Sequence, residues 1–162
     1  MSSSRILIVD DSAVFRKSIK KLIEPVDAEI VLAKDGQEGL DLIQSTPFDL
    51  VISDIEMPIL NGIDLCHKLK NDPKTQTTPV IIVSSFDSNA DVEMGFQAGA
   101  SAYISKRELK LKLLETVKNV LSKCKFKRKR LIMVVDDSTV IRQVVEDGLA
   151  KAGFQVISAE NG

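Results

Sequence analysis

Two adjacent aspartates, a third aspartate, a pair of serines and a lysine recur at intervals along the chain: Asp10-Asp11, Asp54, Ser84-Ser85 and Lys106. Each directly follows a short apolar run: "RILIV" (5–9), "DLVIS" (49–53), "PVIIV" (79–83) and "AYIS" (102–105). Brought to one place, three carboxylates repel, and without a partner their pKa values rise. A hard divalent cation removes the conflict, and Mg2+ prefers a few carboxylates together with waters and phosphate oxygens. A hydroxyl and an ammonium nearby would hold the remaining oxygens of a phosphoryl group. The set therefore suits in-line transfer of a phosphoryl group to a carboxylate, with positioning and charge neutralisation supplying the catalysis. A single aspartate at a strand end reads equally well as a helix N-cap. Several strand ends agreeing on one chemistry do not.

The apolar runs, with "EIVLA" at 29–33, suit strands buried on both faces, as in a parallel sheet. Helical spacing fills the intervals. It gathers Val14, Ile19, Leu22 and Ile23 over 13–23, and Ile63, Leu65, Cys66 and Leu69 over 62–70. Over 108–121 it gathers Leu109, Leu113, Leu114, Val117, Val120 and Leu121 on one stripe. Loop signals stand at Asp35-Gly36, Pro47, Asn61-Gly62, Asp72-Pro73 and Gly99. Strand and helix alternating through five rounds predict an α/β fold, a doubly wound parallel sheet with right-handed crossovers, ending near residue 123. Such sheets bind ligands beyond the carboxyl ends of their strands, where the acids, serines and lysine fall.

Composition narrows the classes. The formal net charge of −1 gives no strong field towards nucleic acid or membrane. Cys66 and Cys124 fit no metal spacing and no disulfide framework, so the expected setting is reduced and cytoplasmic. No apolar run has the length of a membrane span, and the aspartates at 10 and 11 interrupt the N-terminal run. His67 reads as a surface residue of its helix. The basic run "KCKFKRKR" (123–130) reads as a solvated helix end and linker, with nucleic-acid binding the lesser alternative.

The chain then repeats itself. Residues 132–162 align without a gap to residues 6–36, sharing Asp10/Asp136, Asp11/Asp137, Ser12/Ser138, Arg16/Arg142, Ala33/Ala159 and Gly36/Gly162 among others. A strand–helix–strand unit of this size cannot bury its own apolar faces. Its expected organisation is residues 131–162 as an incomplete β-α-β stub, with 124–130 as a basic linker. The counterpart of Asp54 would lie beyond Gly162, so the stub is not expected to accept a phosphoryl group within this chain. The strands "LIMVV" and "FQVIS" are expected to pair with another chain in a homodimer.

The stretches "ILIVDDS", "DLVISDIEMPILNGIDL", "TPVIIVSS" and "GASAYISK" resemble the receiver domain of two-component response regulators, across residues 5–122. The resemblance implies a flavodoxin-like strand order 2-1-3-4-5 and a receiver over residues 1–123. It implies Asp54 as the phosphoacceptor, charged by a sensor histidine kinase or phosphotransfer protein. Asp10, Asp11, Asp54 and the backbone carbonyl of Glu56 would hold Mg2+. Ser84, with Ser85, and Lys106 would bind the phosphoryl oxygens, and Tyr103 stands at the position of the switch aromatic. Glu56 and Phe86 occupy positions that tune hydrolysis of the aspartyl phosphate. Residues 131–162 resemble the start of a second receiver, as in tandem-receiver regulators whose output, such as a diguanylate cyclase, would lie outside this chain. One departure stands out: receivers usually follow the lysine with a proline, and here Arg107 follows. A trans bond and a modified loop are expected there.

Three other classes compete. An aspartate-nucleophile phosphatase wants Asp-x-Asp on its first strand, whereas this chain has Asp10-Asp11 adjacent and its lone acceptor on the third strand. A nucleotide-binding domain lacks its glycine-rich motif. A partner-binding module acting through the stub is the third.

Overall fold

The computed structural model describes residues 3–129, 131–152 and 155–159. By compactness the chain divides into Met1–Val120 and Leu121–Gly162. In the first unit the elements alternate strictly. They are β1 (Ser4–Val9), α1 (Ala13–Leu22), β2 (Ala28–Ala33), α2 (Gly36–Ser45), β3 (Leu50–Ser53), α3 (Gly62–Asn71), β4 (Val80–Ser84), α4 (Asn89–Gln97) and β5 (Ala102–Ser105). A 3-10 turn, Lys106–Glu108, leads into α5 (Leu109–Lys129). All five strands are parallel in the order β2-β1-β3-β4-β5, as the resemblance implies.

The apolar runs dictate this arrangement. Ile6 to Val9, Leu50 to Ile52 and Val80 to Val83 are wholly buried, so β1, β3 and β4 form the centre, covered on both faces. Alternation sends Leu7, Val9, Val51 and Ile82 to one face, where they pack with Ile43 of α2 and Leu65, Cys66 and Leu69 of α3. The stripe expected along α5 is buried at Leu109, Leu113, Val117 and Leu121. Residues 124–129, expected as linker, continue α5, and Arg130 lies outside the described residues.

Two loop signals prove to be helix starts. Asp35 and Asn61 are the N-caps of α2 and α3, their side chains accepting from the Glu38 and Asp64 N–H groups at 2.8 and 2.9 Å. The glycines behind them permit close approach. A Cβ on Gly36 would collide with the Leu60 carbonyl, and one on Gly62 with the carbonyl of Asp54 itself. The segment from Asp54 to Gly62 is thus folded tightly back on the third strand, with the Gly62 N–H bonded to the Ile55 carbonyl at 3.0 Å.

The second unit holds β6 (Leu131–Val135), α6 (Thr139–Lys151) and β7 (Gln155–Ala159), with β6 and β7 parallel. Asn161-Gly162, which repeats the Asp35-Gly36 loop signal and is read from the sequence as a turn, lies outside the described residues. Met133, Val135, Val140, Ile141, Val144 and Ile157 are exposed. Met133 is 60% exposed where its repeat partner Leu7 is fully buried.

Gly62→Ala should cost about 2 kcal/mol through overpacking against backbone. Urea unfolding reads it: a midpoint equal to wild type would show that the 54–62 loop is looser than described.

Candidate functional site

The residues that follow β1, β3 and β5, with Ser84 that ends β4, lie at one edge of the sheet. β1 delivers Asp10, fully buried, and the exposed Asp11; β3 delivers Asp54, only 4% exposed. Carboxylate oxygens of the three lie within 4.8 Å of one another. Lys106, after β5, reaches across with Nζ 2.9 Å from Asp54 Oδ2 and 3.4 Å from Asp10 Oδ2. Its ammonium also lies 4.0 Å from the centre of the Phe15 ring, presented by the first turn of α1.

Backbone groups fix the acids. Asp10 Oδ1 accepts from the Ser12 N–H at 2.8 Å, and Asp54 Oδ1 from the Ile55 N–H at 2.7 Å. Arg16 Nη1 donates to the Asp10 carbonyl at 2.6 Å. That leaves Asp10 Oδ2 buried and without a hydrogen bond, 3.4 Å from an ammonium already bonded elsewhere. Burial pushes the Asp10 carboxyl above its ordinary pKa and the Asp54 charge adds to this; the Ser12 N–H and Lys106 oppose it. Burial would lower the Lys106 pKa, but the hydrogen bond and charge of Asp54 outweigh it, so the ammonium is held above its usual value.

One lysine faces three acids. The orphaned buried oxygen and the surplus negative charge fit a hard divalent cation held by Asp10, Asp11 and Asp54. Bound there, such a cation supplies neutralisation of the gathered carboxylates and of incoming phosphoryl oxygens.

The remaining expected residues sit round this core. Ser84 is buried at the end of β4, its Oγ accepting from the Phe86 N–H at 3.1 Å; it makes no bond to Asp54 or Lys106. The Tyr103 hydroxyl donates to the Phe86 carbonyl at 2.6 Å. Phe86 is 43% exposed. Ser85 and Glu56 are exposed, and among the described residues no hydrogen bond or ion pair ties either to the acids. The Lys106–Arg107 bond is trans, and Ser105 caps the 3-10 turn by accepting from the Arg107 N–H.

Sequence reasoning missed Phe15 and Arg16 as parts of the site, and the ion pair beside it between Asp87 Oδ2 and Arg107 Nη1 at 3.4 Å. A signal existed for one of them, since Arg16 recurs as Arg142 in the repeat. Arg142 Nη1 likewise donates to the Asp136 carbonyl at 2.8 Å, and Asp136 Oδ1 accepts from the Ser138 N–H at 2.7 Å. The opening geometry of the first unit is reproduced in the second.

Comparison with known proteins follows the same lines. The family model of the response regulator receiver domain matches residues 6–118. The gliding motility regulatory protein of Myxococcus xanthus is 38% identical over 110 residues, covering 68% of this chain and 14% of that protein. The polar-differentiation response regulator DivK of Brucella anthropi is 34% identical over 116 residues, covering 72% of this chain and 94% of DivK. A CheY-like receiver domain structure from Methanospirillum hungatei superposes with a TM-score of 0.69 at 33% identity, covering 75% of this chain and 96% of that one. The chain therefore spans a small part of the first relative and nearly all of the second.

Asp10→Asn should stabilise the cation-free protein at neutral pH by about 1 kcal/mol, since it removes a buried charge whose Oδ2 lacks a hydrogen bond. The sign follows from the raised pKa: the ionised carboxyl costs stability above that pKa, and the cost fades as pH falls through it. The gain should accordingly shrink in acid, and Mg2+ should raise the melting temperature of wild type more than that of the variant. Thermal melts across pH, with and without Mg2+, decide it; an Asn variant less stable at neutral pH would contradict the account.

Proposed function

The chain belongs to the response regulator receiver family, the phosphoacceptors of two-component signalling, and on that ground we propose that Asp54 is the residue phosphorylated. The observation that carries this is the buried Asp54 carboxylate, held by Lys106 at 2.9 Å and crowded by Asp10 and Asp11. An Asp54 oxygen attacks the phosphorus of a phosphohistidine. The P–N bond breaks with its electron pair left on the imidazole, which takes up a proton, and an acyl phosphate remains. Lys106, already aimed at that carboxylate, follows a phosphoryl oxygen, and Ser84 approaches another, with Ser85 next to it at the mouth. Tyr103, the proposed switch aromatic coupled to Ser84, has its ring packed against Gly95 of α4 and the core.

Asp10, Asp11, Asp54 and the Glu56 carbonyl are the proposed Mg2+ ligands. Glu56 and Phe86 tune the lifetime of the phosphoryl group, Phe86 by crowding the path of attacking water. Receivers as a class transduce signals rather than turn over a substrate, and they work with histidine kinases or phosphotransfer proteins. We place this one in the cytoplasm with such a kinase or carrier as its donor; no helix among the described residues is long and apolar enough to cross a membrane.

Residues 1–123 form the proposed receiver, 124–130 a connection, and 131–162 the opening of a second receiver. The shared Asp-Asp-Ser cap and arginine clamp support that reading. Any output, such as a diguanylate cyclase, belongs to other segments or partners. The exposed strands β6 and β7 favour a homodimer, which light scattering at high concentration would refute by returning a monomer mass.

Incubation with a small phosphodonor and Mg2+ should add the mass of one phosphoryl group to wild type and none to Asp54→Asn. In the same assay Phe86→Ala should lose the group faster than wild type. An Asp54→Asn protein that still gains the mass would move the acceptor elsewhere.

A further inference from the structure

The flank of the first unit, at the start of β2, carries a groove at the opposite end of the strands from the acids. A cleft of about 510 Å³ runs between the second half of α1 and β2. Its floor is apolar, made by Ile23, Val26, Ala28 and Ile30. Its wall is basic, made by Lys17, Lys20 and Lys21, with Glu24 as the single acid.

The three lysines stand at i, i+3 and i+4, so they share one face of α1. No acidic residue occurs in that helix. Among the described residues none of the three ammoniums has an ion pair or a hydrogen bond. The negative end of the helix dipole accounts for Lys20 and Lys21, which stand in the last turn, but not for Lys17.

The strand beside them is an open edge, since β2 is bonded only to β1. The Ser4 N–H bonds the Asp27 carbonyl and the Asp10 N–H bonds the Ala33 carbonyl, which sets the phase of that pairing. In a parallel ladder of this phase Ala28, Ile30 and Leu32 turn their N–H and C=O groups to the open side. Proteins usually blunt such edges with proline, lysine or a bulge. β2 has no proline or lysine, its register runs without a bulge, and its one charge, Glu29, is tied to Arg5 at 2.7 Å.

We propose that this flank docks an acidic, extended segment of a partner protein, which joins the sheet beside β2 as a sixth strand. Main-chain bonds to Ala28, Ile30 and Leu32 supply affinity, apolar side chains cover the floor, and carboxylates meet the three ammoniums. Charge selects the occupant. A second copy would set another basic flank against this one, whereas an acidic strand neutralises it. Docking here stands apart from the chemistry proposed at Asp54.

A dye-labelled peptide of repeating Val-Val-Glu-Glu is the probe, since as a strand it alternates valine and glutamate on each face. Fluorescence anisotropy should show it binding wild type, and Asp54→Asn equally well. The three lysines are exposed, so their variants keep the fold. Lys17→Gln, Lys20→Gln and Lys21→Gln should each weaken binding about two- to fivefold, and added salt should weaken it for wild type. A Val-Val-Gln-Gln peptide should bind less tightly, and a fully N-methylated probe, which cannot donate to the β2 carbonyls, should not bind. With the probe bound, amide hydrogen exchange should slow at Ala28, Ile30 and Leu32. Equal binding by all three lysine variants, equal binding of the glutamine or N-methylated peptide, or unchanged exchange at those amides overturns the proposal. So does a failure of the probe to bind wild type at all.

Discussion

Three carboxylates converge on one ammonium at the carboxyl edge of the sheet, and this imbalance governs the site. Asp10 and Asp54 are buried, where like charges cannot be diluted by water. Lys106 pairs best with Asp54, leaving Asp10 Oδ2 without a hydrogen bond. The fold accepts that cost because the strands that carry the acids are wholly buried at Ile6 to Val9 and Leu50 to Ile52. The same imbalance makes the edge fit for a hard divalent cation. Stability is spent locally to keep the edge reactive.

Much of this was legible in the sequence, for a topological reason. In a parallel sheet every strand ends on the same side, so the residue after each apolar run is placed without knowledge of the packing. That is why Asp10, Asp54 and Lys106 could be gathered from spacing alone, and why the strand order followed once the motifs were matched. Residues that enter the site from helices and turns were not legible in this way. Phe15 reaches Lys106 because Ser12 caps α1 and sets the angle of its first turn, which no periodicity reveals. Asp87 and Arg107 meet through a loop and a 3-10 turn, where the missing proline told only that the geometry would differ. The helix starts at Gly36 and Gly62 looked like turns because Asp-Gly and Asn-Gly serve both purposes; the deciding contact, a backbone carbonyl where a Cβ would stand, is a long-range one.

The duplicated opening shows how local the first part of the design is. Asp136, Ser138 and Arg142 adopt the bonds of Asp10, Ser12 and Arg16 in what is, among the described residues, a two-stranded sheet. The cap, the clamp and the short turn are therefore encoded within the β-α-β unit itself. What that unit cannot encode is cover for its own apolar side chains: Leu7 and Ile19 are buried, while their counterparts Met133 and Val145 are 60% and 39% exposed. Geometry at the edge is local; burial is a property of the completed sheet.

The interior of β1, β3 and β4 has a mechanical consequence. Its side chains are close-packed and leave no slack for a small displacement at Asp54 to travel through the sheet. The segment after β3 is folded tightly back on the sheet, while the loop after β4 lies exposed along the rim and the 3-10 turn follows β5. A change of charge at the rim would therefore be taken up sideways, loop against loop, with the stiff sheet beneath as its anvil.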